Sequence, residues 1–515
     1  MLGLRKKVLR NIALVLMVIL LGIGVTQIYQ VLEGHLQAPG ENLSQYGVHE
    51  YKIDARFLEG KNLLEVQQKV LYENKYGEAF DTIYFHLYPN AFQDENKVPF
   101  PEDEMAEAYP KGFEAGYIKM GKVKVEGEDV GHTIEGEDDT LLALPLKEPL
   151  KPGERVSISF QYQVKVPPCA SRFGYGENTY NFGNWYPIAT VYDESGWNLE
   201  PYYAIGDPFY SEVGNYEVTL RLPEKYELAT TGNILKTNTE KDNQGQKEKI
   251  WKIKAQGVRD FAWVISDKFK VKSGKVDDTK IKVYYLDGQA GTKALEVTKN
   301  SIEAFNQLFG KYPYKQFSVV SNDFYIGGME YPNLIYIDQN IFSGKYNIAL
   351  EYIIAHETAH QWWYGMVGNN EIDEPWIDEA LTEYSTMLYY RERYGDKTMM
   401  TMFNEMIVND YVRSKALAQD GKERIAKSVN EFQSNHEYSG MVYSKGAMMF
   451  YELEEKVGRE NFQKILQYYF KGNQFTNVTG KDIQDITQAV TGKDYQEFFD
   501  QWLSGKIRLE GEQAA

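Results

Sequence analysis

Short stretches that alternate apolar and polar residues dominate the first half of the chain. Six of them, separated by Gly, Pro, Asn and Asp, are YKIDARFL, LLEVQQKVLYEN, DTIYFHLYP, RVSISFQYQVKV, YEVTLRLP and FAWVISDKFKVKS. A period of two is typical of strands that bury one face. Because no long helical pattern interrupts them, we expect residues 48–275 to form a β-rich saddle or sandwich domain. The loop-rich stretch 167–206 is expected to pack against another domain.

After residue 276 the pattern changes to helical spacing. Strand-like segments at 281–286, 316–322 and 334–338 precede helical patterns near 347–364, 376–394, 440–457, 460–471, 479–491 and 494–504. Gly365 and Gly458 stand where helix C-caps are expected, and Thr479 with Asp482 fits a capping box. We therefore expect an α+β domain over 276–505 that ends in helices, followed by a tail over 506–515. The fold class predicted for the chain is α+β with several domains.

The N-terminus carries the longest apolar run of the chain. The sequence IALVLMVILLGIGV occupies 12–25, and apolar character continues to Tyr29. About 18 helical residues span roughly 27 Å, which is just enough for the hydrocarbon core of a bilayer. Arg5, Lys6, Lys7 and Arg10 precede the run, and such residues stay in the cytoplasm. We expect 1–32 to be a single-pass anchor in the cell membrane, 33–47 a linker, and the body extracytoplasmic.

A cleaved signal peptide followed by secretion is the alternative for this N-terminus. A 14-residue apolar run also fits the central region of a signal peptide. No convincing cleavage site with small residues follows the run, so the anchor is the preferred interpretation.

Charge and cysteine content exclude several classes of protein. The chain has 56 Lys and Arg against 74 Asp and Glu, a net charge of -18. Nucleic-acid binders need a basic face to neutralise phosphates, so we expect no nucleic-acid partner. The single cysteine, Cys169, excludes an internal disulfide and any cysteine-rich metal site. The sequence leaves the oligomeric state open.

The pattern H-E-x-x-H stands out among only seven histidines. His356 and His360 bracket Glu357 in a stretch without Pro or Gly, which predicts that both imidazoles share one face of a helix. Two histidines at this spacing can bind one zinc ion, and the glutamate beside them can act as a base.

A zinc site for catalysis needs a third protein ligand. Eighteen residues separate His360 from Glu379, which lies near the start of a second predicted helix after Pro375. This helix can return beside the first and present Glu379 to the metal. Glu383, one turn later on the same face, could orient a histidine ligand, or could be a solvated helix acid.

These motifs together resemble the gluzincin family of zinc aminopeptidases, of the membrane alanyl aminopeptidase type. H-E-x-x-H, eighteen residues and then Glu is that family's pattern for one zinc ion. Gly327-Gly328-Met329-Glu330-Tyr331 resembles its G-x-M-E-N motif, and Tyr443-Ser444-Lys445-Gly446 resembles its Y-x-K-G motif. The resemblance covers about residues 48–505 and implies a β-rich domain followed by a thermolysin-like catalytic domain. Full-length members continue with a large helical domain, which we expect this chain to lack, leaving an open cleft or one that a partner covers.

The resemblance also implies a role for each motif residue. Glu357 would be the general base, and Tyr443 would stabilise the oxyanion. Glu330, with Gly328 and Met329, would bind the substrate, because the family's glutamate pairs with the free α-ammonium of a peptide. Tyr331 departs from the asparagine that is usual in this motif, which affects how the scissile carbonyl is positioned.

The leading hypothesis is a zinc metallopeptidase that removes N-terminal residues from peptides outside the cytoplasm. One alternative keeps the zinc chemistry in an endopeptidase or regulatory protease with an open cleft. The other is a non-catalytic ectodomain that binds peptides.

Overall fold

The computed structural model describes residues 42–242, 244–418 and 423–508. The predicted anchor 1–32 and most of the linker 33–47 lie outside these residues. Within the described ranges, no helix has both the length and the apolar character needed to cross a bilayer.

The first half of the chain is built on a twisted sheet of eight strands. One pair, His49–Leu58 with Gly214–Pro223, is parallel and all other neighbours are antiparallel. In spatial order the strands are Asn233–Lys241, Lys247–Val258, Gly214–Pro223, His49–Leu58, Leu63–Glu73, Arg155–Lys165, Tyr117–Val125 and Glu128–Asp129. Two smaller sheets of four strands complete this half. In one of them the spatial order is Glu227–Thr230, Trp263–Ser266, Tyr180–Phe182 and Phe173–Tyr175. In the other it is Ile188–Ala189, Phe80–His86, Leu141–Leu150 and Thr133–Glu135.

Alternation along the strands decides which face is buried. In Leu63–Glu73, every second residue from Leu64 to Tyr72 is buried, and Glu65, Gln67 and Lys69 are exposed between them. The apolar face packs on the smaller sheets, and one continuous core extends from there into the second half of the chain. The β-rich character predicted for the first half is therefore confirmed.

The second half begins with a mixed sheet of five strands. Its spatial order is Lys270–Val276, Thr279–Tyr285, Gln316–Asn322, Leu334–Asp338 and Gly328–Met329. Lys270–Val276 forms a hairpin with Thr279–Tyr285, so the boundary expected between 275 and 276 falls inside that hairpin. The two-residue strand Gly328–Met329 is at the edge of the sheet, antiparallel to its neighbour. There are also two sheets of two strands each. In the first half Tyr192–Asp193 pairs with Gly196–Trp197, and in the second half Val367–Asn369 pairs with Thr476–Val478.

Helices pack on this sheet and make up most of the second half. In the described part of the chain the α-helices are Met105–Ala108 of the first half and Gly291–Leu308, Asn347–Ala359, Trp376–Tyr394, Asp396–Met402, Asn409–Ser414, Asn435–Tyr438, Gly446–Val457, Arg459–Asn473, Gly480–Thr491 and Gln496–Leu503 of the second. Phe403–Val408 and Ser439–Lys445 are π-helical. Short 3₁₀ turns are Leu43–Tyr46, Glu59–Lys61, Tyr88–Phe92, Glu102–Glu104, Ile341–Ser343, Lys415–Leu417 and Val429–Glu431.

Most predicted helices are confirmed, with several differences. The helix expected over 440–457 is α-helical only from Gly446, and the helices Asp396–Met402 and Asn409–Ser414 were not predicted. The helix expected over 347–364 ends at Ala359, because the chain turns back to form the short strand Val367–Asn369 and Tyr364 adopts a positive φ of 107°. Gly365 is therefore not a helix cap, whereas Gly458 is one and the capping box at Thr479 is present. The long helix Gly291–Leu308 was missed by the sequence pattern.

Buried polar contacts connect the two halves of the chain. Arg259, which is 2% exposed, donates from Nε to the carbonyl of Tyr364 at 2.9 Å and from Nη2 to that of Thr476 at 3.1 Å. Asp323 of the second half accepts the backbone N–H groups of Asn178 and Thr179 at 2.6 and 2.7 Å. The loop 167–206 therefore packs against the second half, as its composition indicated.

Candidate metal centre and active site

Three side-chain atoms from two helices converge at the bottom of a cleft between the halves. We call Asn347–Ala359 the motif helix and Trp376–Tyr394 the glutamate helix. His356 Nε2 and His360 Nε2 are 3.2 Å apart, and Glu379 Oε2 lies 3.4 Å from the first and 3.1 Å from the second. Tetrahedral ligands at zinc bond lengths are separated by about 3.3 Å. The triangle therefore has the size that a zinc ion requires, and its two nitrogens and one oxygen are the donors that zinc accepts.

The other ring nitrogen of each histidine has its own acceptor. His356 Nδ1 is 2.9 Å from Glu383 Oε2, and His360 Nδ1 is 3.0 Å from the carbonyl oxygen of Trp363. Both contacts favour the tautomer with hydrogen on Nδ1, which leaves the Nε2 lone pairs for a metal. Glu383 also accepts a hydrogen bond from the hydroxyl of Tyr352. Glu383 thus occupies the orienting position proposed for it and is buried rather than solvated.

The electrostatics of this triangle favour a positive charge. Burial lowers the pKa of His360, but the carboxylate of Glu379 outweighs burial and raises this pKa to about 10. Burial raises the pKa of Glu379, yet the two histidines hold it below its ordinary value. The same field that favours protons on the imidazoles favours a cation between them.

Glu357 points into the cleft beside the triangle. The residue is 6% exposed, and its Oε2 has no hydrogen-bond partner among the described residues. Burial raises the pKa of Glu357 to about 7, although His356 and His360 oppose the shift. A carboxylate with a pKa near neutral can both accept and release a proton.

Tyr443 lies beside the triangle, in the π-helix Ser439–Lys445, which we call the tyrosine turn. Its hydroxyl donates to Glu379 Oε1 at 2.5 Å, and its ring stacks on His356 with centroids 5.7 Å apart. Burial raises the pKa of Tyr443 well above its ordinary value, so the phenol keeps its proton. Two serines that flank Tyr443, Ser439 and Ser444, donate to Asp410 Oδ2 at 3.1 and 2.8 Å and so hold the turn in place.

The loop after the edge strand brings Glu330 to the triangle. Glu330 is 3% exposed, and its Oε1 has no hydrogen-bond partner in the described part of the chain. Glu330, Glu357 and His360 each contribute a ligand-type atom within 4.8 Å of the others. Gln361 Nε2 donates to the backbone carbonyls of Glu330 and Tyr331 at 3.2 and 3.3 Å, which ties the loop to the motif helix.

The neighbours of Glu330 point elsewhere. Met329 is fully buried, its sulfur accepts from Arg172 Nε at 3.1 Å, and it does not line the cleft. Alternation along the strand turns the Met329 side chain into the core, and the substrate-binding role expected for Met329 stays a prediction. Tyr331 is also buried and donates to Asn184 Oδ1 at 2.9 Å. Gly328 does line the cleft.

The cleft is a cavity of about 820 Å³ that holds every predicted zinc ligand, Glu357, Tyr443 and Glu330. Sequence reasoning missed several of its charged residues, among them Arg172 and Asp207, which form a buried ion pair. Asp207, Glu330 and Glu379 have carboxylate oxygens within 4.8 Å of one another. Arg172 and Asp207 both come from the first half of the chain in irregular segments, where no local pattern marks them.

Comparison with known proteins confirms the family resemblance for the helical half. Residues 293–502 match the Peptidase family M1 domain. Aminopeptidase N of Lactococcus lactis subsp. lactis is 26% identical over 349 residues, which cover 63% of this chain and 40% of that protein. Aminopeptidase N of Lactobacillus helveticus is 23% identical over 408 residues, 75% of this chain and 46% of that protein. The matches thus span less than half the length of either relative.

Solved structures share the fold over nearly the whole described chain. The M1 zinc metallopeptidase from Deinococcus radiodurans has a TM-score of 0.64 at 15% identity and covers 90% of this chain and 95% of its own. A two-domain M1 zinc metallopeptidase mutant bound to L-arginine has the same TM-score and covers 91% and 96%. The combination of a β-rich half and a helical half is therefore a known arrangement of this fold.

A glycine is required where the edge strand passes Glu357. A Cβ on Gly328 would lie 2.0 Å from Glu357 Oε1, closer than any real contact. We expect Gly328→Ala to displace the Glu357 carboxylate and lower kcat by about 10²-fold or more, as loss of a general base does. Peptide turnover and bound zinc, measured on the same sample, check this, since the zinc content should not change.

The matched control is Gly472→Ala, because a Cβ there meets nothing within 4 Å. Alanine in a helix is more favourable than glycine, so this variant should keep full activity. Wild-type activity in Gly328→Ala would show that Glu357 tolerates displacement or is not the base.

Proposed function

We propose that this chain, which carries a Peptidase family M1 domain, is a zinc-dependent aminopeptidase. The observation that carries the proposal is the triangle of His356, His360 and Glu379 at zinc-ligand spacing, with Glu357 and Tyr443 in the same cavity. These residues would hold one zinc ion. Bound there, zinc would supply the Lewis acidity that activates water and polarises a peptide carbonyl.

The protein's own groups would then move the protons of hydrolysis. Glu357, with a pKa of about 7, accepts a proton from the attacking water and delivers it to the leaving amine. The phenol of Tyr443 donates a hydrogen bond to the oxygen that becomes negatively charged. In the structure this phenol is engaged with Glu379 Oε1, so it would turn from that carboxylate to the substrate.

The edge strand and the carboxylates beside it would select a free N-terminus. Gly328–Met329 presents an open strand edge at the cleft, to which an extended peptide can add as a further strand. Such a peptide would bring its α-ammonium to Glu330, whose buried Oε1 has no hydrogen-bond partner among the described residues. A buried carboxylate attracts an ammonium and offers nothing to a continuing chain.

We further propose that the body lies outside the cytoplasm, held by an N-terminal membrane anchor. The support for this location is the apolar run at 12–25 and the basic residues that precede it.

The first prediction separates metal binding from chemistry. Glu357→Gln removes the proton acceptor but no ligand, so zinc should stay at one ion per chain while kcat falls by about 10²- to 10⁴-fold. His360→Ala should lose zinc and activity together. Elemental analysis and peptide turnover on the same samples measure both quantities.

Glu303→Gln is the control for this pair, because Glu303 is exposed on the helix Gly291–Leu308 and should behave as wild type. Stoichiometric zinc in His360→Ala would contradict the ligand assignment. Near-normal turnover in Glu357→Gln would mean that another group is the base.

The second prediction tests whether the enzyme is an exopeptidase. A contact between an ammonium and a buried carboxylate contributes about 1.5–3 kcal/mol, or about 10- to 150-fold in kcat/KM. Glu330→Gln should therefore lower kcat/KM on peptides with a free N-terminus by that factor and barely change slow cleavage of N-acetylated ones. If the wild type cuts both kinds of peptide equally fast, it is an endopeptidase.

The third prediction concerns location. An uncleaved anchor should leave the protein in the membrane fraction after a high-salt wash, and protease added outside the cell should release the body. Mature protein free in the medium, with an N-terminus near residue 25, would show a cleaved signal peptide instead.

A further inference from the structure

A second group of carboxylates includes Glu330 and shares no residue with the zinc triangle. Glu330, Glu371 and Asp378 have carboxylate oxygens within 4.8 Å of one another, and their exposed fractions are 3%, 2% and 1%. They come from three different segments: the loop after the edge strand, the loop before the glutamate helix, and the first turn of that helix. We call them the carboxylate trio.

Each member of the trio has a buried oxygen that lacks a hydrogen-bond partner among the described residues. These atoms are Glu330 Oε1, Glu371 Oε2 and Asp378 Oδ2. The other oxygen of Asp378 accepts a hydrogen bond from Asn369 Nδ2 at 3.0 Å. A buried carboxylate oxygen without a partner is costly. Three such residues in one place therefore indicate a ligand that satisfies them together.

The charges around the trio point to a positive ligand. Besides the trio, Asp207, Glu357, Glu379 and Glu383 are buried in the same region, which makes seven carboxylates. Four positive charges face these seven carboxylates: two from one zinc ion, one from the guanidinium of Arg172 and one from the ammonium of a bound peptide. The charge of Arg172 is already paired with Asp207. Carboxylates that remain ionised in a buried site need a cation beside them.

We propose that the carboxylate trio binds a second metal cation, a hard divalent ion of the Ca²⁺, Mg²⁺ or Mn²⁺ class. Oxygen-only donors are what these ions prefer, whereas zinc prefers the nitrogen-containing triangle. Glu330 lines the cleft and the other two members do not, so the ion enters through the cleft past Glu330. Glu330 is also the residue proposed to bind the peptide α-ammonium, so the ion and the ammonium would share this carboxylate, but metal binding itself requires no peptide turnover.

Mn²⁺ is a suitable probe because its free and bound forms differ in electron paramagnetic resonance. Zinc-loaded full-length protein is titrated with Mn²⁺, and zinc and manganese are both counted after dialysis. We expect one Mn²⁺ per chain while zinc stays at one. Glu371→Gln, which keeps the size of the side chain, should weaken Mn²⁺ binding at least tenfold and leave the zinc content unchanged.

Glu374→Gln is the matched control, since Glu374 lies on the same loop, faces the backbone N–H of Gly480 at 3.3 Å and is outside the trio. It should bind Mn²⁺ as the wild type does. The proposal is overturned if the zinc-loaded wild type binds no Mn²⁺. That result needs no variant, and it would mean that water or shared protons satisfy the unpartnered oxygens of the carboxylate trio. Unchanged Mn²⁺ binding in Glu371→Gln also overturns it. Because the test counts only bound zinc and manganese and includes no turnover, neither result bears on the peptidase activity.

Discussion

The concentration of buried carboxylates around two histidines is the constraint on which the rest of the site depends. In a medium of low dielectric constant, a carboxylate stays ionised only where a positive charge or several hydrogen-bond donors compensate it. His356 and His360 are placed so that Glu379 and Glu383 each contact one of their nitrogens. The arrangement is therefore stable with a cation at its centre. The buried carboxylates favour a metal ion electrostatically, and the histidines and Glu379 supply its ligands.

The same constraint explains why the active site needs both halves of the chain. The carboxylates of Asp207 and Glu330 lie close together and would repel each other. Arg172, which comes from the same half as Asp207, pairs with Asp207 and neutralises its charge. Arg259 connects that half to the second by hydrogen bonds to the backbone carbonyls of Tyr364 and Thr476. A Cβ on Gly368 would collide with this guanidinium at 2.1 Å, so the two halves fit together around a buried charge. The packing of the two halves and the compensation of buried charge therefore depend on the same residues.

The part of the site that the sequence predicts is the part set by local geometry. One helical turn fixes His356 relative to His360, and another fixes Glu379 relative to Glu383, so spacing alone places each pair. The strands of the first half could be predicted equally well, because one face is buried along each strand and the sequence therefore alternates. The helix expected to continue to 364 ends at Ala359, because pairing of Val367–Asn369 with a distant strand overrides local propensity. Arg172 and Asp207 were missed for a related reason: only the packing of the two halves gives them a role.

Tyr331 shows how a departure from a motif can leave the position of the motif's carboxylate unchanged. Along this loop Met329 turns into the core, Glu330 turns into the cleft, and Tyr331 turns away to donate to Asn184 of the first half. A Cβ on Gly183 would lie 1.9 Å from the Tyr331 hydroxyl, so the first half provides a slot for this particular side chain. The backbone of the loop is held independently by Gln361, which bonds the carbonyls of both Glu330 and Tyr331. The position of the Glu330 carboxylate therefore depends on the motif helix and on the slot at Gly183, and not on the asparagine that is usual at residue 331.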